Sequence, residues 1–94
     1  MPEVGKRYYF ITHAYYHFLG EVMEVLSGKR VKIKDARQII SCERGWTAFF
    51  ADGCKNDTRF EVWPDGTELE YTLPLAPWNH DIPEAKNDTR RRSR

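Results

Sequence analysis

The sequence contains only two cysteines, Cys42 and Cys54. Two thiols are too few for a disulfide scaffold or a four-thiolate zinc site, so we expect a reducing compartment. No apolar run approaches the roughly 18 residues that a membrane-spanning helix needs, and the mean hydropathy is −0.71. Residues 1–7 lack the apolar segment of a secretory signal. These absences predict a protein that is neither secreted nor inserted in a membrane.

Neither sign of charge dominates, because 15 basic and 14 acidic residues give a formal net charge of +1. Residues 84–94 are more basic than the rest, which is left slightly negative; they contain Lys86, Arg90, Arg91, Arg92 and Arg94 against Glu84 and Asp88. Nucleic-acid binding depends largely on basic charge facing phosphate, so a nucleic-acid partner is not expected. We predict that 84–94 is a disordered basic tail, since no large apolar residue anchors it. Residues 1–83 then form a single domain with one core.

Strand patterns begin in the aromatic-rich stretch 8–26. Phe18, Gly20 and Val22 alternate as in a strand, whereas Leu19, Val22 and Leu26 also fit helical spacing. Clustered aromatics and a glycine inside the run favour strands. A turn at 27–29, followed by alternating charged and β-branched residues at 30–34, predicts a further strand.

One short helix is predicted at 46–52, because Trp46, Phe49 and Phe50 share a helical face and Gly53 is suited to end it. In 58–73, two alternating runs flank a Pro-Asp-Gly turn at 64–67 and predict a hairpin. Three prolines in 73–83 exclude a central strand there and predict an extended strap anchored by Trp78. The expected fold class is mainly β (α+β), a small antiparallel sheet with one short helix.

Catalytic motifs are missing from the sequence. No serine lies in a nucleophile elbow, and neither a P-loop nor a dinucleotide glycine motif occurs. His13 and His17 are four residues apart, but a metal site needs a third ligand, and Cys42 or His80 would have to reach it from far along the chain. We expect partly exposed histidines in an aromatic strand and a half-buried structural thiol at Cys42. The sequence thus predicts no enzyme, no metal and no cofactor.

Arginines and aromatic rings near the helix form a candidate binding site. Guanidinium groups suit phosphate oxygens, aromatic faces suit nucleobases, and an amide can bond a base or a ribose. The candidate ligand-binding residues are Arg37, Arg44, Trp46, Phe49, Asn56 and Arg59. The alternative is that the rings are core and the arginines are solvated. The aromatic content (3 Trp, 5 Tyr and 5 Phe) is more than one small core needs, which predicts a homo-oligomer, a dimer or larger.

The pentapeptide Lys-Asn-Asp-Thr-Arg occurs twice, at 55–59 and at 86–90. The first copy falls in a predicted loop before a strand and the second in the predicted tail. These different settings predict that the two copies are not a structural repeat.

Four segments in order along the chain carry a resemblance to a known family: 18–22, 28–39, 46–53 and 77–83. The pattern of strand, turn, strand, small helix and Trp-x-His segment resembles the small phage-encoded Thoeris anti-defence sponges, the first family of that name. The resemblance implies a non-catalytic homo-oligomer that sequesters cyclic ADP-ribose isomers or related cyclic nucleotides in the cytoplasm of a bacterial host. It assigns no pocket residues, so the six candidates above depend on their chemistry.

Two further hypotheses stand beside the sponge. In the first, the protein is a small phage or bacterial protein–protein interaction or structural module, whose aromatic surface contacts protein and whose basic tail contacts acidic surfaces. In the second, a metal-dependent enzyme uses His13 and His17.

Overall fold

A computed structural model describes residues 2–89, with the backbone alone at 73 and 74. Most of these residues lie in strands: β1 (Arg7–Thr12), β2 (His17–Ser27), β3 (Arg30–Cys42), β4 (Thr58–Val62) and β5 (Thr67–Pro77). Helix α1 (Trp46–Asp52) lies between β3 and β4, and a 3-10 turn spans Ala85–Asn87. The expected class, mainly β with one short helix, is confirmed. Within residues 2–89, no helix is both long enough and apolar enough to cross a membrane.

The aromatic stretch forms strands, as its alternation and composition predicted. β2 pairs with β3 as a long antiparallel hairpin, from Ser27 opposite Arg30 at the turn to His17 opposite Ile39. Gly20 is required in this pair because a Cβ there would lie 2.6 Å from the Cδ1 of Ile33. Because residues 17–27 form a strand that pairs with β3, the helical alternative for this segment is excluded.

The strand pairings close into a ring. β1 pairs with β2 and with β5, β5 pairs with the first part of β3, and β3 pairs with β2. Alternate side chains point into this ring and form the first core, whose buried members are Tyr8, Phe10, Phe18, Val22, Val31, Ile33, Ala36, Leu69 and Tyr71. The ring gives a chain of this size a closed interior without a second layer of helices.

The predicted hairpin at 58–73 is wrong, although both of its strands exist. β4 and β5 pair successively with one edge of β3, β4 from Cys42 opposite Thr58 and β5 as far as Arg30 opposite Glu70. Between them the chain stays beside β3, since the amides of Trp63 and Gly66 donate to the carbonyls of Ala36 and Ile33 at 2.9 Å each. The Pro-Asp-Gly segment therefore forms a bulge in a nearly continuous edge and does not reverse the chain.

A second core lies on the outer face of the ring. Its buried residues come from four strands, α1 and the C-terminal segment: Tyr9, Leu19, Ile39, Phe49, Phe60 and Trp78. Helix α1 spans the predicted residues, and Gly53 ends it at φ 81° with its amide donating to Phe49 O. The helix is thus held by the apolar surface beneath it, because seven residues are too few for a stable isolated helix.

The proline-rich segment differs in part from the prediction. β5 continues to Pro77 and pairs with β1 there, so the strap that was predicted for 73–83 begins only after this strand. In the described residues, this half of β5 pairs with β1 alone. Its other edge donates no backbone hydrogen bonds to a strand, so proline, which lacks an N–H, is tolerated there. Trp78 is confirmed as an anchor, with 5% exposure. Residues 78–84 then cross the outer face and are called the strap below.

The disordered tail predicted for 84–94 is wrong over residues 84–89. The 3-10 turn follows the strap, and Asp88 and Thr89 are buried, at 4% and 8% exposure. Polar side chains anchor this segment where apolar ones are missing: Thr89 and Asp88 form hydrogen bonds with the backbone of β4. Residues 90–94 of the predicted tail lie outside the described part of the chain.

Candidate functional site: a groove beneath the strap

Arg37 is a buried cation on the outer face of the sheet. It lies opposite Leu19 on β2 and Val62 on β4, and only 6% of its surface is exposed. Its Nε donates to the carbonyl of Pro83 at 2.8 Å, and its Nη1 donates to that of Ala36 at 3.1 Å. Among residues 2–89, no carboxylate lies within ion-pair distance of this guanidinium. A buried charge that lacks an ionic partner is costly unless an anion comes to it.

An open groove of about 860 Å³ runs past Arg37. The strands contribute Glu21, Asp35 and Phe60 to it, the loop after α1 contributes residues 54–56, and the strap contributes residues 81–84. Arg7 and Asn87 complete the lining. The volume falls within the range of about 300–1,000 Å³ that is typical of small-molecule sites.

The groove presents both signs of charge. Arg7, Arg37 and Lys55 are its cations, and its acids are Glu21, Asp35, Asp81 and Glu84. Two of the acids already have cationic neighbours, because Glu21 lies 3.4 Å from Lys34 and Glu84 lies 3.2 Å from Lys86. The groove is therefore mixed in character, with donors and acceptors on facing elements.

Arg44 does not belong to the groove, and its guanidinium is occupied. Nε donates to the carboxylate of Asp57 at 2.8 Å, Nη2 donates to the carbonyl of Gly53 at 2.9 Å, and Nη1 lies 3.4 Å from the carboxylate of Asp52. The hydrogen bond from Arg44 lowers the pKa of Asp57 and keeps it ionised. A ligand phosphate at Arg44 would compete with these internal acceptors, and its predicted role in binding stays a prediction.

The aromatic candidates lie on α1 and are not in the groove. Phe49 is completely buried, so its predicted role as a stacking platform is wrong. Trp46 is 40% exposed, but one face of its ring stacks on His17 at 4.8 Å. His17 is itself bonded to the hydroxyl of Tyr9. Helical spacing identified the aromatic residues that share one face of α1, but it could not predict which of them the sheet would bury.

Arg59 on β4 and Asn56 in the loop before it differ in their relation to the groove. Arg59 lies between buried Thr58 and Phe60 and is exposed on the other face of the strand, away from the groove. Asn56 lines the groove together with Arg37. Of the six predicted residues, Arg37 and Asn56 line the groove together, and Arg44 lies beside Asn56 at a separate open pocket. Neither lining includes Trp46, Phe49 or Arg59.

The two copies of Lys-Asn-Asp-Thr-Arg border the same groove. Asn56 and Asn87, the second residue of each copy, both line it. The aspartate of each copy accepts a backbone amide from another segment: Asp57 from Arg44 at 2.9 Å, and Asp88 from Val62 at 2.9 Å. The two copies still lie in different local structures, the first in the loop before β4 and the second at the 3-10 turn, so they border one groove without forming a structural repeat. The repeat was the available signal for Lys55 and Asn87, whereas nothing in the pattern indicated Arg7.

The histidines and cysteines form no chemical centre in the part of the chain that is described. No cluster of three His, Cys, Asp or Glu residues there is arranged to hold a metal. His13 is exposed and lies 3.6 Å from Glu70, while His17 lies beneath Trp46. Burial raises the pKa of the Cys54 thiol to about 12, which keeps it protonated at neutral pH.

Comparison with known proteins adds no relative to this geometry. No family model matches the chain, and neither the curated proteins nor the solved structures contain a match. The resemblance to the anti-defence sponges therefore stays a prediction, supported by the sequence pattern alone.

Proposed function

We propose that the protein binds a phosphate-bearing nucleotide in the groove beneath the strap and holds it without chemical change. The observation that carries this proposal is Arg37, which is only 6% exposed and lines an open groove. Within residues 2–89, its guanidinium donates to two carbonyl groups and to no carboxylate. An anionic ligand would supply the missing countercharge. Guanidinium groups are suited to this task because their planar fork matches phosphate oxygens.

The phosphate would meet Arg37 through Nη2, the nitrogen that forms neither of its two carbonyl bonds. Arg7 and Lys55 also line the groove and add positive charge to it. The two backbone bonds hold the guanidinium in place before a ligand arrives, which reduces the ordering cost of binding. We expect Arg37 to position the phosphate and Lys55 to act as a more flexible second cation.

The polar groups around these cations fit the rest of a nucleotide. Asn56 and Asn87 offer amides to the edge of a base, and the carboxylates of Asp81 and Glu21 are acceptors for ribose hydroxyls. Phe60 is the aromatic residue among those that line the groove, and it is only 3% exposed, so the base would be held mainly by hydrogen bonds. A cyclic ADP-ribose isomer or a cyclic oligonucleotide combines all of these groups, in agreement with the resemblance to phage sponges that act in the host cytoplasm.

Calorimetry with cyclic ADP-ribose isomers and cyclic oligonucleotides tests this proposal, with inorganic phosphate as the minimal probe. Arg37→Lys keeps the charge and loses the fork, so we expect it to weaken binding by about tenfold or more. Arg59→Ala is the matched control, because Arg59 lies on the other face of β4 and should change affinity less than twofold. The ligand that is recovered after denaturation should be intact by mass spectrometry. Equal affinity in both variants, or a cleaved ligand, would refute the proposal.

A second candidate function, self-association through aromatic residues, is favoured by an exposed aromatic surface. Four of its rings are at least 40% exposed: Tyr15 at 81%, Tyr16 at 55%, Phe50 at 43% and Trp46 at 40%. Exposed aromatics of this kind mark protein interfaces, and the expected homo-oligomer would cover them with a second copy. Sedimentation should then show self-association, and Phe50→Ser should reduce it. Met23→Ser is the control, because Met23 is an exposed residue of β2, and it should leave the association unchanged.

A further inference from the structure

β4 is the last strand in the order β2-β1-β5-β3-β4, and it has one edge that no strand covers in the described residues. Its outward backbone groups are occupied by side chains of the C-terminal segment. Phe60 N–H donates to Thr89 Oγ1 at 3.0 Å, and the same hydroxyl donates to Phe60 O. Val62 N–H donates to the carboxylate of Asp88 at 2.9 Å.

These contacts resemble those of a neighbouring strand, since alternate residues of β4 are bonded through N–H and C=O along one edge. Both Asp88 and Thr89 are buried against the strand. An uncovered edge of this kind is a template for pairing with another chain, and proteins often cover it with a local segment. The polar pair at 88–89 therefore acts as a cover for the β4 edge.

We propose that this edge is a docking site for β4 of a second copy of the chain, and that Asp88 and Thr89 compete with that copy for the same backbone groups. Release of the C-terminal segment then permits antiparallel β4–β4 pairing. This is an isologous contact, in which each copy offers the same residues to the other. It requires no nucleotide and is independent of the function proposed for the groove.

The sequence of β4 is complementary to itself in this arrangement. With Phe60 opposite Phe60 of the second copy, the outward N–H and C=O groups of the two residues face each other and exchange two hydrogen bonds. Arg59 then lies opposite Glu61 of the second copy, and the two-fold axis repeats this pair. Arg59 is exposed and available for such a contact. Opposite charges directly across an antiparallel pair stabilise it, so the charge pattern favours this register.

The test compares the mass of full-length variants by sedimentation velocity over a concentration series, without added nucleotide. Asp88→Ala/Thr89→Val removes the three bonds to β4 while keeping the chain length. The loss of these three competing bonds should raise the association constant at least about tenfold over that of the unaltered protein. Lys86→Ala is the matched control, because that side chain is 75% exposed and contacts only Glu84 among the described ion pairs.

A second pair of variants tests the register. In the released background, Arg59→Glu places like charges opposite each other twice and should abolish the added association, and Arg59→Glu/Glu61→Arg should restore it. Thermal unfolding establishes that each variant is folded, and Thr89→Val alone, which preserves the side-chain volume, replaces the double variant if that one unfolds. A folded released variant with the association of the unaltered protein would overturn the proposal. Added association that persists with Arg59→Glu would overturn it as well.

Discussion

Asp57 accepts two hydrogen bonds from Arg44 through the same carboxylate oxygen, one from the backbone amide at 2.9 Å and one from Nε at 2.8 Å. Arg44 also donates to the carbonyl of Gly53, beyond the end of α1. The pair therefore ties the end of β3, the end of α1 and the start of β4 together. Helix α1 has no side-chain cap at its N-terminus, so this link and the core beneath hold its position.

The Arg44–Asp57 pair predicts a pH-dependent contribution to stability. The pKa of Asp57 is lowered from its ordinary value of 3.8, so its ionised form stabilises the folded chain above that value. This contribution is lost as the pH falls through the lowered value of the folded state. Asp57→Asn should lower the urea midpoint at neutral pH, and its difference from the unaltered protein should shrink below pH 3.8. Asp52→Asn, which removes a longer and more exposed contact, is the control. A difference that is constant over this range would contradict the prediction.

Gly20 leads to a prediction about packing inside the ring. A Cβ at this position would lie 2.6 Å from Ile33 Cδ1 and 3.1 Å from Ile33 Cβ. Gly20→Ala should therefore destabilise the protein by about 1–3 kcal/mol, as overpacked cores do. Ile33→Val removes the nearest atom, so the double variant should lose less than the sum of the two single variants. Gly28→Ala, which meets nothing within 4 Å, is the control in the same hairpin. Additive losses in urea unfolding would show that the contact is relieved elsewhere.

The strands and helix were predictable because their signals are local. Alternation and aromatic content identified β2 and β3, and the spacing of Trp46 and Phe49 identified α1. The pairing of β4 and β5 was not predictable, because Pro-Asp-Gly suits a bulge as well as a reversing turn. The choice depends on Asp35, which adopts a positive φ of 54° and donates its amide to the side chain of Asp65. Only the folded chain brings those two residues together.

The site was predictable in part for a similar reason. Arg37 and Asn56 were found by their chemistry, and both line the groove. Arg44 has the same chemistry, but its acceptors, Asp57 and Gly53 O, depend on where the chain returns after α1. Residue type indicates what a side chain is able to bind, whereas the fold determines which internal partner reaches it first.

Adjacent phenylalanines on α1 predict opposite outcomes. Phe49 is fully buried and contacts Tyr9 and Trp78, whereas Phe50 is 43% exposed. Phe49→Ala should destabilise the protein by about 3–5 kcal/mol through lost burial and a cavity. Phe50→Ala is the matched control and should cost clearly less. Urea unfolding of the two variants gives the comparison, and equal losses would mean that α1 does not pack as described.

His17 predicts a loss of stability in mildly acidic solution. Burial under Trp46 lowers its pKa from 6.5, so the folded chain favours the neutral imidazole while the unfolded chain takes up a proton near 6.5. The stabilisation is complete above pH 6.5 and is lost progressively as the pH falls through the lower value of the folded state. The melting temperature should therefore drop between pH 8 and about 5. His17→Gln should flatten this dependence, and His13→Gln should keep it, because His13 is exposed beside Glu70. If His13→Gln flattened the profile and His17→Gln did not, the covered imidazole of His17 would not be the source of the pH dependence, and the prediction would be wrong.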